Sequence, residues 1–316
     1  MSNLTIITEF ILMDISSSWE LQALQSVLFL VIYLGAVTGN LLTITVIMTD
    51  PCLHSPMYFF IINLSLIDLC CISVTVPEFL VNSLAGNKSI SLTACVAQVF
   101  LFIFLSTTHY VFLLVMSYDR YVAICHPLHY ELTITSHMCT QAAGGSWVSG
   151  LVFSAIHTGT MFRLPFTGSN MIYQYFCDLP QILRIASSDV QYSEFVVLVV
   201  SICISIICSA FLFLSYINIF SMVLSMHSVE ARNKALSTCN PQLAVLLTFI
   251  ISGFIAILSP IADKASLSSL LTGMIYTMVP PFINPLIYSL RNREINAALG
   301  RMFNRCFEFL TRVFCD

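Results

Sequence analysis

Four groups of residues have types and spacings that could do chemistry. Asp68 breaks an apolar stretch, residues 57–80, near its middle. Asp119 and Arg120 are adjacent within Met116-Ser117-Tyr118-Asp119-Arg120-Tyr121-Val122-Ala123-Ile124-Cys125. Asn284 is wedged among prolines in Pro280-Pro281-Phe282-Ile283-Asn284-Pro285-Leu286-Ile287-Tyr288. His109 follows Ser106 by three positions, a spacing that puts both side chains on one helix face. A nucleophile and its base need a third, orienting group, and none accompanies Ser106 and His109. No catalytic residue is therefore expected. The cysteines and histidines show no zinc spacing, so no metal or cofactor is expected either.

The elements that position these residues follow from composition. Of the 316 residues, 58% are hydrophobic and 9% are charged, against about 25% charged in a soluble domain. Such a chain cannot cover a water-facing surface or remain disordered. With 12 Lys+Arg against 16 Asp+Glu, it has no basic excess for nucleic acid. An integral membrane protein remains.

Runs without Asp, Glu, Lys or Arg cover 21–49, 89–118, 132–162, 195–229, 235–262 and 265–290, and the Asp68 segment makes a seventh. Each exceeds the roughly 20 residues a bilayer core requires. They are too long and too uniformly apolar for the alternating strands of a β-barrel. The expected fold class is all-α, one domain over 1–316. Its seven-transmembrane helix bundle has spans near 23–49, 57–80, 95–119, 139–160, 195–223, 236–259 and 267–289. Residues 1–22 and 290–316 are tails.

Seven crossings put the ends on opposite sides. Arg120, Arg232, Lys234, Arg291, Arg293, Arg301, Arg305 and Arg312 cluster on the C-terminal side, eight of the twelve Lys and Arg. Positive charge stays inside, so the N-terminus is expected outside and the C-terminus in the cytoplasm of a plasma-membrane protein. The first twenty residues lack a basic start followed by an apolar core, so the first run is read as an uncleaved anchor. Asn3-Leu4-Thr5 is the glycosylation sequon expected to be used. The sequon at Asn63 lies within a span, and that at Asn87 lies close to the bilayer.

Cys95 and Cys177 are the two cysteines placed on the oxidising side, so a disulfide between them is expected. The Asp119–Arg120 pair reads either as a solvated ion pair or as a cation that locks neighbouring helices. Asn284 and Pro285 read either as a packing kink or as a hinge facing Asp68, an intramembrane ionisable group of the kind that marks function. After Asn292, Ile295, Leu299, Met302 and Phe303 recur at helical spacing among arginines, as in a helix lying in the lipid interface. Cys306 and Cys315 there are candidates for acylation or are free thiols.

These strings together resemble the olfactory receptors, within the rhodopsin-like G-protein-coupled receptors. The resemblance runs through Gly39-Asn40, Leu53-His54-Ser55-Pro56-Met57-Tyr58-Phe59-Phe60, the Met116–Cys125 run continued by His126-Pro127, Ser215-Tyr216, Lys234-Ala235-Leu236-Ser237-Thr238-Cys239, and Pro285-Leu286-Ile287-Tyr288. It implies a small-molecule odorant as ligand. It also implies a stimulatory, olfactory-type heterotrimeric G protein as partner and a rise in cyclic AMP. The activation residues it points to are Asp68, Asp119, Arg120, Tyr121, Tyr216, Asn284, Pro285 and Tyr288. The chain departs from the family pattern at His109, where an acidic residue is common, at Gln242, where His is usual, and at Ile250 and Ile257. Ser169 and Ser187 replace a second cysteine pair.

Helix periodicity from Arg120 outward brings Phe102, Ile103, Ser106 and Thr107 into the outer half of the third span, where the resemblance also places the ligand. By depth alone, Val200 and Ile204 from the fifth span, Gly253, Phe254 and Ile257 from the sixth, and Met274 and Thr277 from the seventh should join them. The expected cavity is apolar with a few hydroxyls. The rival class is a multi-span transporter or channel, which would show inverted repeats or rows of intramembrane charge. Neither is present in the sequence.

Overall fold

A computed structural model describes residues 7–12, 19–86, 88–166, 169–258 and 267–315. Asn3 and Asn87 lie outside them. Along the chain run α1 (Trp19–Thr49), α2 (Pro56–Ala85), α3 (Leu92–Cys125), the one-turn α4 (Tyr130–Thr133) and α5 (Ser136–Met161). The short α6 (Leu179–Ile185), then α7 (Ser188–Ser225), α8 (Val229–Leu258), α9 (Leu267–Arg291) and α10 (Arg293–Cys315) follow. Setting aside the arginine-rich α10, seven of these are long enough to cross a bilayer. Five of the described helices, namely α1, α2, α3, α7 and α8, also contain a stretch apolar enough to do so.

The helices overrun the spans marked by hydropathy, because hydrogen bonding continues past the lipid where apolar composition stops. One consequence is that the connection left between the expected spans 195–223 and 236–259 shrinks to 226–228, between Ser225 and Val229. Side chains close the helix starts. Ser91 Oγ accepts the Ala94 N–H at the head of α3, and Thr135 Oγ1 accepts that of Met138 at the head of α5, each occupying a donor the helix leaves free.

α3 is the central helix and packs against α2, α5, α7 and α8. Lipid gives helices no hydrophobic reason to associate, so close packing has to hold them together. Gly150 of α5 shows how close that packing is. A Cβ there would stand 2.1 Å from Thr108 Oγ1 and 2.8 Å from the Phe104 carbonyl oxygen of α3.

One end of the bundle carries a small sheet that hydropathy gave no reason to expect. β1 (Glu9–Leu12) pairs antiparallel with β2 (Ser89–Ser91), Phe10 opposite Ile90, and parallel with β3 (Met171–Ile172). Alternation turns Phe10 and Leu12 inward, as strand geometry requires. There they join Ile90, Val99, Met161 and Ile172 in an apolar cluster. Phe10 meets Phe166 edge to face, ring centres 5.3 Å apart. The same cluster contains the expected disulfide between Cys95 and Cys177, whose Cα atoms are 5.4 Å apart.

Candidate functional site

The prolines of α9 explain the first polar centre. Pro285 has no N–H to give the carbonyl of Pro281, four residues back, so that oxygen needs another donor. Asn40 of α1 supplies it, its Nδ2 lying 2.9 Å from Pro281 O. Gly39 makes the approach feasible, since a Cβ there would touch Pro285 at 3.0 Å. Asn284 is thereby left to reach across the bundle, donating to Asp68 Oδ2 at 2.8 Å. Asn284 thus bonds to another span and leaves the freed backbone to Asn40. His109 Nε2 stands 3.5 Å from Asp68 Oδ1 without the alignment of a hydrogen bond. Its ring stacks on Phe249 of α8 at 4.9 Å. This centre therefore joins α1, α2, α3, α8 and α9.

Two cavities lie between this centre and the sheet. The smaller, about 160 Å³, has Asp68, Cys71 and His109 at its floor and Phe249, Gly253 and Thr277 in its walls. The larger, about 430 Å³, is bounded by Ile103, Thr107, Phe153, His157, Leu198 and Ser201. Phe102, Ser106, Ala256 and Tyr276 line both, so the two form adjoining lobes of one chamber. Above the larger lobe is Asp178, next in sequence to Cys177 and held there by the disulfide. Tyr276 donates to Asp178 Oδ2 at 2.6 Å. Burial pushes the Asp178 carboxyl up to about 6, while the Tyr276 hydroxyl and the Leu179 N–H draw it part of the way back. On the opposite wall His157 Nδ1 pairs with the buried carboxylate of Glu194, and its Nε2 lies 3.1 Å from Ser201 Oγ.

The structure brings Phe102, Ile103, Ser106, Thr107, Gly253 and Thr277 together around the chamber. Val200, Ile204 and Phe254 do not join them. They are exposed on the outside of the bundle, and Leu198, Ser201 and Ile202 supply the wall from α7. Two positions along a helix turn a side chain by about 200°, so a residue at the right depth can face away from the cavity. Met274 packs with Tyr175 and Phe176 beside the chamber rather than in it. The side chain of Ile257 lies outside the described residues, as do those of Cys306 and Cys315. Asp178, Tyr276 and Glu194 were not expected at the site. The first could have been inferred from its place beside Cys177, and Glu194 lies one residue before the uncharged run that begins at 195.

At the opposite end, Arg120 closes on its own neighbour. Its Nε donates to Asp119 Oδ2 at 2.9 Å, its Nη2 contacts the same oxygen, and Tyr130 donates to Asp119 Oδ1 at 2.8 Å. Both members of the pair are buried, so it is not a solvated surface ion pair. Tyr216 and Tyr288 are buried too, and their hydroxyls have no partner among the described residues. Tyr121 instead turns towards His126, 3.2 Å from its Nε2. A cavity of about 950 Å³ opens here between α2, α3, α8 and α10, with Tyr58, Arg120, Lys234, Thr238 and Glu294 in its wall.

A helix bundle with a chamber between its helices towards one end and a buried Asp–Arg pair at the other has the architecture of a seven-helix membrane receptor. Squid rhodopsin shares this fold, with a TM-score of 0.71 at 17% identity, covering 93% of this chain and 88% of that one. The olfactory receptor family profile matches residues 29–306. Human olfactory receptor 14I1 is 49% identical over 97% of this chain and 99% of its own length, and human olfactory receptor 14A16 is 45% identical over 96% and 97%. The chain belongs to the olfactory receptor family. It is accordingly a multi-pass plasma-membrane signalling receptor and not an enzyme.

Proposed function

We propose that this chain is an odorant receptor whose sheet end and N-terminus face the exterior and whose Arg120 end and C-terminus face the cytoplasm. A small, largely apolar odorant occupies the chamber lined by Phe102, Ser106, Gly253 and Thr277. It binds one bundle arrangement better than another and shifts the population accordingly. A stimulatory, olfactory-type G protein then engages the Arg120 end and cyclic AMP rises. Asn3, on the outer tail, carries the glycan, and α10 lies against the inner leaflet.

The observation that carries this reading is the shared framework of the two ends. α2, α3 and α8 line both the chamber and the Arg120 cavity, and the Asp68 centre ties them together midway. A change of fit in the chamber therefore acts on helices that continue to the other end. The one-sided cluster of arginines supports the orientation.

The test is a cyclic AMP assay in cells expressing the chain with an olfactory-type G protein, screened against small volatile compounds. Wild type should respond to some of them. Phe102→Ala should weaken potency by about tenfold, the effect of losing about 1.4 kcal/mol of apolar contact, at unchanged surface delivery. A surface-delivered wild type that never raises cyclic AMP would overturn the proposal.

A further inference from the structure

The chamber contains more acid than an apolar odorant needs. Asp178 is buried at the upper wall of the larger lobe. Among the described residues its one side-chain partner is the neutral Tyr276 hydroxyl, and no Lys, Arg or His there forms an ion pair with it. Neither lobe has a Lys or Arg in its described lining. Among the described residues lining the larger lobe the one basic group, His157, is committed to Glu194. The other polar groups in the walls are the hydroxyls of Ser106, Thr107, Ser201, Ser252 and Thr277, and the His109 imidazole beside Asp68 in the smaller lobe. At the floor of the smaller lobe stands a second carboxylate, Asp68.

A carboxylate held away from water without a counter-ion is costly, and an ammonium group beside it offsets that cost. A second carboxylate brought by the ligand would add to it. The upward displacement of the Asp178 carboxyl, caused by burial, is the same imbalance seen as a proton affinity. An ammonium group beside it would hold the carboxyl in its ionised form.

We infer that this chamber selects ligands bearing a protonated amine, with Asp178 as the residue that receives the ammonium group, and that it discriminates against carboxylic acids of the same carbon skeleton. The apolar body of such a ligand lies along Phe102 and Ala256. The inference rests on the receptor reading above and narrows its ligand class.

The probes are matched sets of amine, alcohol and acid on n-hexyl, n-octyl and phenylethyl skeletons, applied to cells expressing the full chain with cyclic AMP as readout. On each responding skeleton the amine should be about tenfold or more as potent as the alcohol, as expected for a charge-assisted contact, and the acid should be the weakest. Asp178→Asn should remove the amine's advantage over the alcohol on the same skeleton, and Asp178→Glu should keep the order. An acid or alcohol equal to the amine in wild type would overturn the inference, whatever the variants do. So would silence of all three sets in cells that answer other neutral odorants. Silence towards every odorant would instead count against the receptor reading itself.

Discussion

At the disulfide end a covalent tie and a connected set of hydrogen bonds brace the chamber, although Glu194 Oε2, Thr158 Oγ1 and both polar atoms of Gln25 are buried there with no partner among the described residues. Gln98 accepts the Cys177 N–H at 2.7 Å and donates to the Val74 carbonyl at 2.9 Å, Tyr276 reaches Asp178, and Tyr175 bonds to Thr277. At the Arg120 end, Ser117, Tyr216, Tyr288 and both polar atoms of Gln242 are buried with no partner among the described residues. Satisfied networks fix one arrangement, whereas unsatisfied buried groups leave a neighbouring arrangement close in energy. The disulfide and the network anchored on it hold the ligand end to one shape, and the described residues of the Arg120 end contain no such covalent tie. The Asp68 centre, with one good hydrogen bond and one misaligned contact, stands between them.

The largest expected effect comes from loosening the fixed end. Cys95 and Cys177 close a loop with a sequence separation of 82, for which chain entropy gives about 4 kcal/mol. Cys95→Ser and Cys177→Ser should each abolish most surface delivery, measured by flow cytometry on a tagged chain. The double variant should be no worse than either single one. Additive losses would mean that the two cysteines act separately.

A smaller effect is expected from freeing the Arg120 end. Tyr130→Phe removes one hydrogen bond to the buried Asp119 carboxylate, a contact of about 1.5 kcal/mol. Cyclic AMP without odorant should rise by up to about tenfold while delivery stays near normal. Unchanged basal signalling would show that the Asp119–Arg120 closure does not hold the resting arrangement.

The smallest effects are expected where the chamber ends. Phe254→Ala and Val200→Ala alter side chains exposed on the outside of the bundle and should change odorant potency by less than about twofold, a few tenths of a kcal/mol. Ser201→Val, inside the larger lobe, should change it more. The reverse ranking in dose–response curves would mean that α7 and α8 are rotated relative to the arrangement described.

How much of this was legible in the sequence depended on the signal each part leaves. Seven long apolar runs mark a bundle because a bilayer demands them, and the placement of Cys95 and Cys177 on one side marked their bond. The face of α3 was legible because Arg120 fixes its phase, and Phe102 and Ser106 follow by helical spacing. α7 is apolar nearly all round, so nothing in its composition sets its rotation, and depth alone put Val200 and Ile204 in the wall in place of Leu198 and Ser201. The β1–β2–β3 sheet was not legible either. Its strands have two to four residues and pair over long separations, too short for an alternation signal. That Asn40, not Asn284, would satisfy the Pro281 carbonyl needed the packing of α1 on α9, which no local pattern contains.

The central claim is that events in the chamber are read out through Arg120. The most direct measurement compares odorant-evoked cyclic AMP in wild type and Arg120→Ala at matched surface delivery. The variant should reach the surface and give no odorant-evoked rise. A full response at normal potency would contradict the claim.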